Sequence, residues 1–240
     1  MRKVFLIFLI SAITSGCVKQ NDDQTFISNS KFKPVSDLKT YTYLALGDSY
    51  TIGESVPIND AFPNQLAQMI RTDTSATANP TIIAKTGWTT NDLIQAIPTA
   101  KLAPKYDFVS LLIGVNNQYR NYQIETYRAE FKMLLQTAIN YASGKKECVF
   151  VLSIPDWGVT PFAKNNGKSA LQIAQEIDAY NAINKEEAEL QKVNYLDITP
   201  ISREAKIISG LIAADGLHPS GQMYARWVEK LAPMVKKTLY

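Results

Sequence analysis

The sequence predicts a three-layer α/β/α sandwich built on a mainly parallel five-stranded sheet. Three observations predict it. Strand-like and helix-like segments alternate from Tyr41 to the C-terminus. The strand-like segments are continuous apolar runs rather than clean alternations, as in parallel strands buried on both faces. The 240 residues, 46% hydrophobic and 20% charged, suffice for one domain with a sizeable core at 39–240.

Each element has its own signal. The first strand is read in "TYLALG" (42–47), which stops at Gly47-Asp48-Ser49. "NDAFPNQLAQMIRT" (59–72) has helical periodicity. The second strand, "TIIAKT" (81–86), is followed by Gly87 and a short helix, "TTNDLIQAI", with Thr89 or Thr90 as N-cap. The third, "DFVSLLIG" (107–114), leads to Asn116 and then to a long amphipathic helix (122–142) that ends before Gly144. The fourth strand is "CVFVLSIP" (148–155), followed by a helix at 169–192; the fifth is "VNYLDIT" (193–199), and a helix at 219–239 closes the chain. No repeat of solenoid period is present.

The N-terminus is read as a targeting segment at 1–16. Its parts are a positive "MRK", an apolar "VFLIFLISAI" and a small-residue "TSGC" cleavage site. The apolar run is too short to span a bilayer as a helix. Cys17 directly after Ser15-Gly16 resembles a bacterial lipoprotein signal, which makes Cys17 the lipidated first residue and 17–38 a polar tether. This implies an exported protein, anchored to a membrane of the cell envelope. Thr14 stands three residues before Cys17, where such signals usually carry Leu. The alternatives are an ordinary secretory signal or an uncleaved anchor. Cys148 is then alone and is read as a small buried hydrophobe in a strand.

Charge excludes some partners. The formal net charge is +3, and without Arg2 and Lys3 the balance is 23 basic to 22 acidic residues. No basic patch points to nucleic acid. Nothing points to a cofactor, and with one His and one unlipidated Cys a zinc site lacks its usual ligands. The chain is expected to be monomeric.

In parallel sheets ligands bind outside the carboxyl ends of the strands, so chemistry is sought there. Gly, Asp and Ser all favour turns, but a serine at the mouth of a strand is also where α/β enzymes place nucleophiles. Serine needs a general base. His218, in "AADGLHPSG", is the only histidine, and Asp215 three residues earlier is spaced to orient its ring. The backbone N–H of Ser49, the backbone N–H of Gly87 and the side-chain amide of Asn116 are candidate donors to an oxyanion. Asp48 is read as structural, holding the turn through backbone hydrogen bonds. Trp88, Tyr119, Trp157 and Phe162 are candidates for pocket walls, or else ordinary loop aromatics.

"GDSYTIG", Gly87, "GVNN" and "DGLHP" together, in this order, resemble the SGNH hydrolases, also called GDSL esterases and lipases. The resemblance runs from about Tyr43 to the last helix. It implies the flavodoxin-like SGNH fold, no cofactor, and a serine ester hydrolase with Ser49 as nucleophile, His218 as base, Asp215 as acid and Gly87 and Asn116 in the oxyanion hole. Tyr50 replaces the name-giving Leu. Asn117 replaces the Asp of "GxND", from which a changed local hydrogen bond is expected. Small-molecule, lipid or carbohydrate esters are the implied substrates. The alternative is a non-catalytic, envelope-anchored binding module on the same fold.

Overall fold

The computed structural model describes residues 38–240. The signal segment, Cys17 and all of the expected tether but Leu38 lie outside the described residues. The elements follow as β1 (Lys39–Tyr41), β2 (Tyr43–Asp48), α1 (Ser49–Ile52), α2 (Phe62–Met69), β3 (Ser75–Thr77), β4 (Thr81–Lys85), α3 (Thr90–Ala96), β5 (Phe108–Leu112), α4 (Val115–Tyr119), α5 (Ile124–Tyr141), β6 (Val149–Leu152), α6 (Ala170–Gln191), β7 (Asn194–Leu196), α7 (Thr199–Arg203) and α8 (Gly221–Leu239).

Five strands form one parallel sheet in the order β4-β2-β5-β6-β7. Numbered along the chain among themselves, they run 2-1-3-4-5, the flavodoxin-like order. The burial explains the continuous apolar runs. Every residue of β2, β5 and β6 is buried, whereas the edge strands β4 and β7 are half-buried. Right-handed crossovers then decide where the helices go. The connection from β2 to β4 runs one way along the sheet, and those through α3, α5 and α6 run the other way, so α2 lies on the opposite face from the other three. The packing agrees: α2 meets α8, while α3 meets α5 and α5 meets α6. Cys148 is free and buried.

The helix stops and caps follow their local signals. Thr89 caps α3 in a reciprocal capping box with Asp92. Ser169 and Ser220 cap α6 and α8. The chain leaves α5 through Gly144, at φ +79°. The segment expected as one helix at 59–72 instead contains a 3₁₀ turn, Ile58–Asp60, and α2, because Ala61 is extended between them. A small parallel pair, β1 with β3, was not expected. Its strands are three residues long and carry no apolar run.

The strand order places the site. The sheet's connections reverse direction between β2 and β5, and the crevice at such a switch point is open at the carboxyl ends of the strands. Gly47 keeps that end tight. A Cβ there would sit 2.1 Å from the Thr51 hydroxyl oxygen and 2.3 Å from the Leu112 carbonyl oxygen. Only glycine lets α1 fold back directly over β2 and β5.

Candidate active site

Ser49 is the first residue of α1, immediately beyond β2. Asp48 caps this single turn: its Oδ1 accepts the Tyr50 N–H at 3.0 Å. The turn closes through Gly53, which is left-handed at φ +74°. The strand thus ends in a capped turn that leaves Ser49, 5% exposed, on the wall of a pocket of about 190 Å³.

His218 reaches the same pocket from the loop before α8. An isolated antiparallel bridge between Ile212 and Pro219 closes the base of that loop. The Asp215 carboxylate organises it. Oδ1 accepts the N–H groups of Leu217 and His218 at 2.9 and 3.0 Å, and Oδ2 lies 2.6 Å from the His218 Nδ1. Partial burial pushes the Asp215 carboxyl up, but the His218 ring, the Leu217 N–H, the Ser55 hydroxyl and the His218 N–H outweigh it and hold the group well below the usual carboxylate range. An ionised carboxylate only accepts, so Nδ1 carries the proton and Nε2 is left as the basic nitrogen. Among the described residues, the ring's one side-chain hydrogen bond is to Asp215.

Gly87 and Asn116 line the same pocket from just beyond β4 and β5. Asn116 is the second residue of α4, whose N-cap Gly114 has φ +128°. A Cβ on Gly114 would come within 2.5 Å of the Tyr127 hydroxyl oxygen, so glycine is required there. Asn116 Nδ2 donates to the Trp88 carbonyl at 2.9 Å. That bond uses one of its two amide hydrogens and aims the group. Arg120 donates to the Gly87 carbonyl at 2.7 Å. The fully buried Asn117 accepts the Thr90 N–H at 3.0 Å and donates to the Thr90 hydroxyl at 2.6 Å. The Thr90 hydroxyl in turn donates to Glu130. Asn117 therefore fits its place as an amide: it supplies both a donor and an acceptor to one threonine, where a carboxylate would only accept.

The pocket also contains Tyr119, Trp157 and Phe162, which meet one another edge-on or tilted with ring centroids 5.5–6.3 Å apart. Trp157 is anchored by its indole N–H to the Gln118 side-chain oxygen at 2.8 Å. Trp88 does not join them. Its side chain is half-buried against the core, and its contribution to the site is the carbonyl that Asn116 grips. Tyr50, Thr86, Val115 and Leu217 complete the walls, and sequence reasoning missed them. Tyr50 had a usable signal, its place directly after Ser49. Its ring meets the His218 ring edge-on, centroids 5.8 Å apart. Neither a carboxylate nor a lysine or arginine among the described residues lines the pocket. Among the described residues, no group of three His, Cys, Asp or Glu is placed to hold a metal ion.

Asp48 is fully buried, and among the described residues its Oδ2 has no hydrogen-bond partner. Burial pushes its carboxyl up to about 7, against the opposing pull of backbone N–H groups. The sign for stability follows. Below about pH 4 the group is protonated in both folded and unfolded chains; from there to about pH 7 the unfolded chain sheds its proton first, so stability falls as pH rises. In Asp48→Asn the side-chain oxygen still caps Tyr50 but nothing titrates. Relative to wild type, the variant should gain stability on the order of a few kcal/mol between pH 4 and pH 8. Urea midpoints across that range test this, and a constant difference contradicts it.

No curated protein matches the chain. Solved structures share its fold. TesA is 20% identical, with a TM-score of 0.63, over 82% of this chain and 99% of that one. A lipase/acylhydrolase from Enterococcus faecalis is 20% identical (TM-score 0.59; 85% and 98% covered). Axe2, an acetylxylan esterase from Geobacillus stearothermophilus, is 19% identical (TM-score 0.57; 84% and 95% covered). The model of the GDSL-like lipase/acylhydrolase family matches residues 45–226, the span that carries every residue of the site just described, and the chain belongs to that family of carboxylic ester hydrolases.

Proposed function

We propose that the protein hydrolyses short, uncharged acyl esters through an acyl-enzyme on Ser49. His218 takes the serine proton as the hydroxyl oxygen attacks the ester carbonyl. Asp215 holds the ring in the tautomer that leaves Nε2 basic and stabilises the imidazolium. The N–H groups of Ser49 and Gly87 and the Asn116 amide receive the oxyanion. The imidazolium then gives its proton to the departing alcohol, and water, activated by the same ring, releases the acid and regenerates Ser49. The observation that carries this reading is the convergence of Ser49, the Asp215-held His218, Gly87 and Asn116 on one pocket from four separate segments.

The pocket supports the substrate class. Its volume of about 190 Å³ is close to that of cavities that hold a benzene-sized group, and its walls are aromatic and aliphatic without an ionised side chain. A short acyl chain or a small aryl group fits within it. Two measurements test the proposal. A fluorophosphonate probe should label Ser49 covalently, and turnover of nitrophenyl esters should peak at short chains and fall steeply beyond about six carbons. Absence of labelling leaves the binding-module reading. A preference for acetylated sugars or acyl thioesters over nitrophenyl esters keeps the mechanism and replaces the substrate.

We also propose that the chain is exported and held at a membrane through a lipid on Cys17, on the strength of "TSGC" and the polar stretch that follows. Cys17→Ala should shift the protein to a soluble fraction or leave it as a precursor. Unchanged size and membrane partitioning on fractionation rule the anchor out.

A further inference from the structure

The turn that follows the nucleophile makes a contact unaccounted for by the chemistry above. Gly53 ends α1, and Ser55, two residues on, stands at φ +67°. That left-handed conformation suits glycine and strains most other residues. Yet a serine occupies it, and its hydroxyl donates to the Asp215 Oδ2 at 2.7 Å, across 160 residues of sequence. Oδ2 is the oxygen that holds the His218 Nδ1. Asp215 is not shielded by the core: its side chain is 30% exposed. Among the described residues Ser55 completes its four hydrogen bonds, the other three coming from Asp215's own loop. The neighbouring Glu54 accepts a hydrogen bond from the Thr86 hydroxyl, beside Gly87. One short turn, covalently continuous with the nucleophile helix, is thus tied to both the acid-bearing loop and the oxyanion loop.

We propose that Ser55 is a positioning residue that docks the Asp215–His218 loop onto the nucleophile helix, and that its backbone strain is retained for this contact. The proposal rests on the acyl-enzyme reading for its effect on rate. Ser55 does not line the pocket, so it acts on the alignment of base and nucleophile and not on substrate binding.

The strained conformation supplies a discriminating variant. Ser55→Gly removes the hydroxyl while relaxing the backbone. It should melt no lower than wild type, yet kcat on the best ester should fall on the order of tenfold, the weight of one hydrogen bond to a charged group, with KM unchanged. Ser55→Asn keeps a donor on a residue that tolerates the left-handed region, and should recover part of the loss. Wild-type kcat in Ser55→Gly overturns the proposal, as does a rise in KM accompanied by a lower melting temperature, which marks a merely structural turn. A second readout needs no turnover. His218 is the only histidine in the chain, so its Nδ1 proton gives one assignable low-field NMR resonance. Removing Ser55's hydroxyl opens the exposed side of Asp215, and the resonance should broaden and exchange faster with water. An unchanged resonance overturns the proposal whatever the kinetics. A wild-type protein that turns over no ester but loses this protection in Ser55→Gly refutes the hydrolase mechanism and leaves the positioning role standing.

Discussion

Ser49→Ala should abolish ester hydrolysis, lowering kcat on the order of 10⁶-fold, while the melting temperature stays near that of wild type. The stability forecast comes from the position: the hydroxyl sits at a pocket wall at the mouth of β2, while the turn is held by Asp48 and Gly53. The size of the rate loss comes from the role: the other aliphatic hydroxyl on the pocket lining, that of Thr86, is engaged with Glu54. Nucleophile and base act as one unit, so Ser49→Ala, His218→Ala should be scarcely slower than either single variant. Losses that add fully would show that the two groups work independently and would break the assignment. Single-turnover kinetics with an activated ester, beside thermal melts, make the comparison.

Asn116→Ala should cost about 10²–10³ in kcat with little change in KM, because an oxyanion donor acts chiefly in the transition state. Asn116→Asp should be at least as damaging. Its carboxylate would face the developing negative charge on one side and the Trp88 carbonyl, which now accepts the amide hydrogen, on the other. A turn-forming role predicts the reverse order, since Asp serves turns nearly as well as Asn and Ala does not. The backbone argues against that role: Asn116 lies within α4, and the left-handed position belongs to Gly114. Steady-state kinetics with melts separate the two. If Asp keeps most of the activity and Ala loses it together with stability, the oxyanion hole has to be drawn without Asn116.

The parts of the site that were legible in the sequence share a physical property: they are local. Strand ends can be read from where an apolar run meets Gly, Asp or Ser, and parallel strands bring their carboxyl ends to one side of the sheet whatever their order. The places of Ser49, Gly87 and Asn116 just beyond strand ends follow from that rule; their proposed roles come from the resemblance. The His218–Asp215 pair closes within a single loop, so a spacing of three residues sufficed. The buried strands β2, β5 and β6 were legible because burial on both faces demands unbroken apolar sequence. The pair β1 and β3 was not, because three-residue strands held by each other's backbone leave no side-chain pattern.

Tertiary structure alone decided how these pieces meet. The strand order β4-β2-β5 puts Gly87 and Asn116, the candidate oxyanion donors, on either side of Ser49, and no residue in the strands announces it; it follows from right-handed crossovers and the packing of helices on two faces. Trp88 and Tyr119 looked equivalent as sequence, yet only the ring of Tyr119 enters the pocket, because Asn116 grips the Trp88 backbone while its side chain turns to the core. Tyr50 against His218, Arg120 on Gly87 and Ser55 on Asp215 are contacts between segments far apart in the chain. A side chain's residue type sets the bonds it is able to make. Which partner lies within reach depends on distances between loops, and those are set by the order of the strands beneath them and not by any periodicity along the chain.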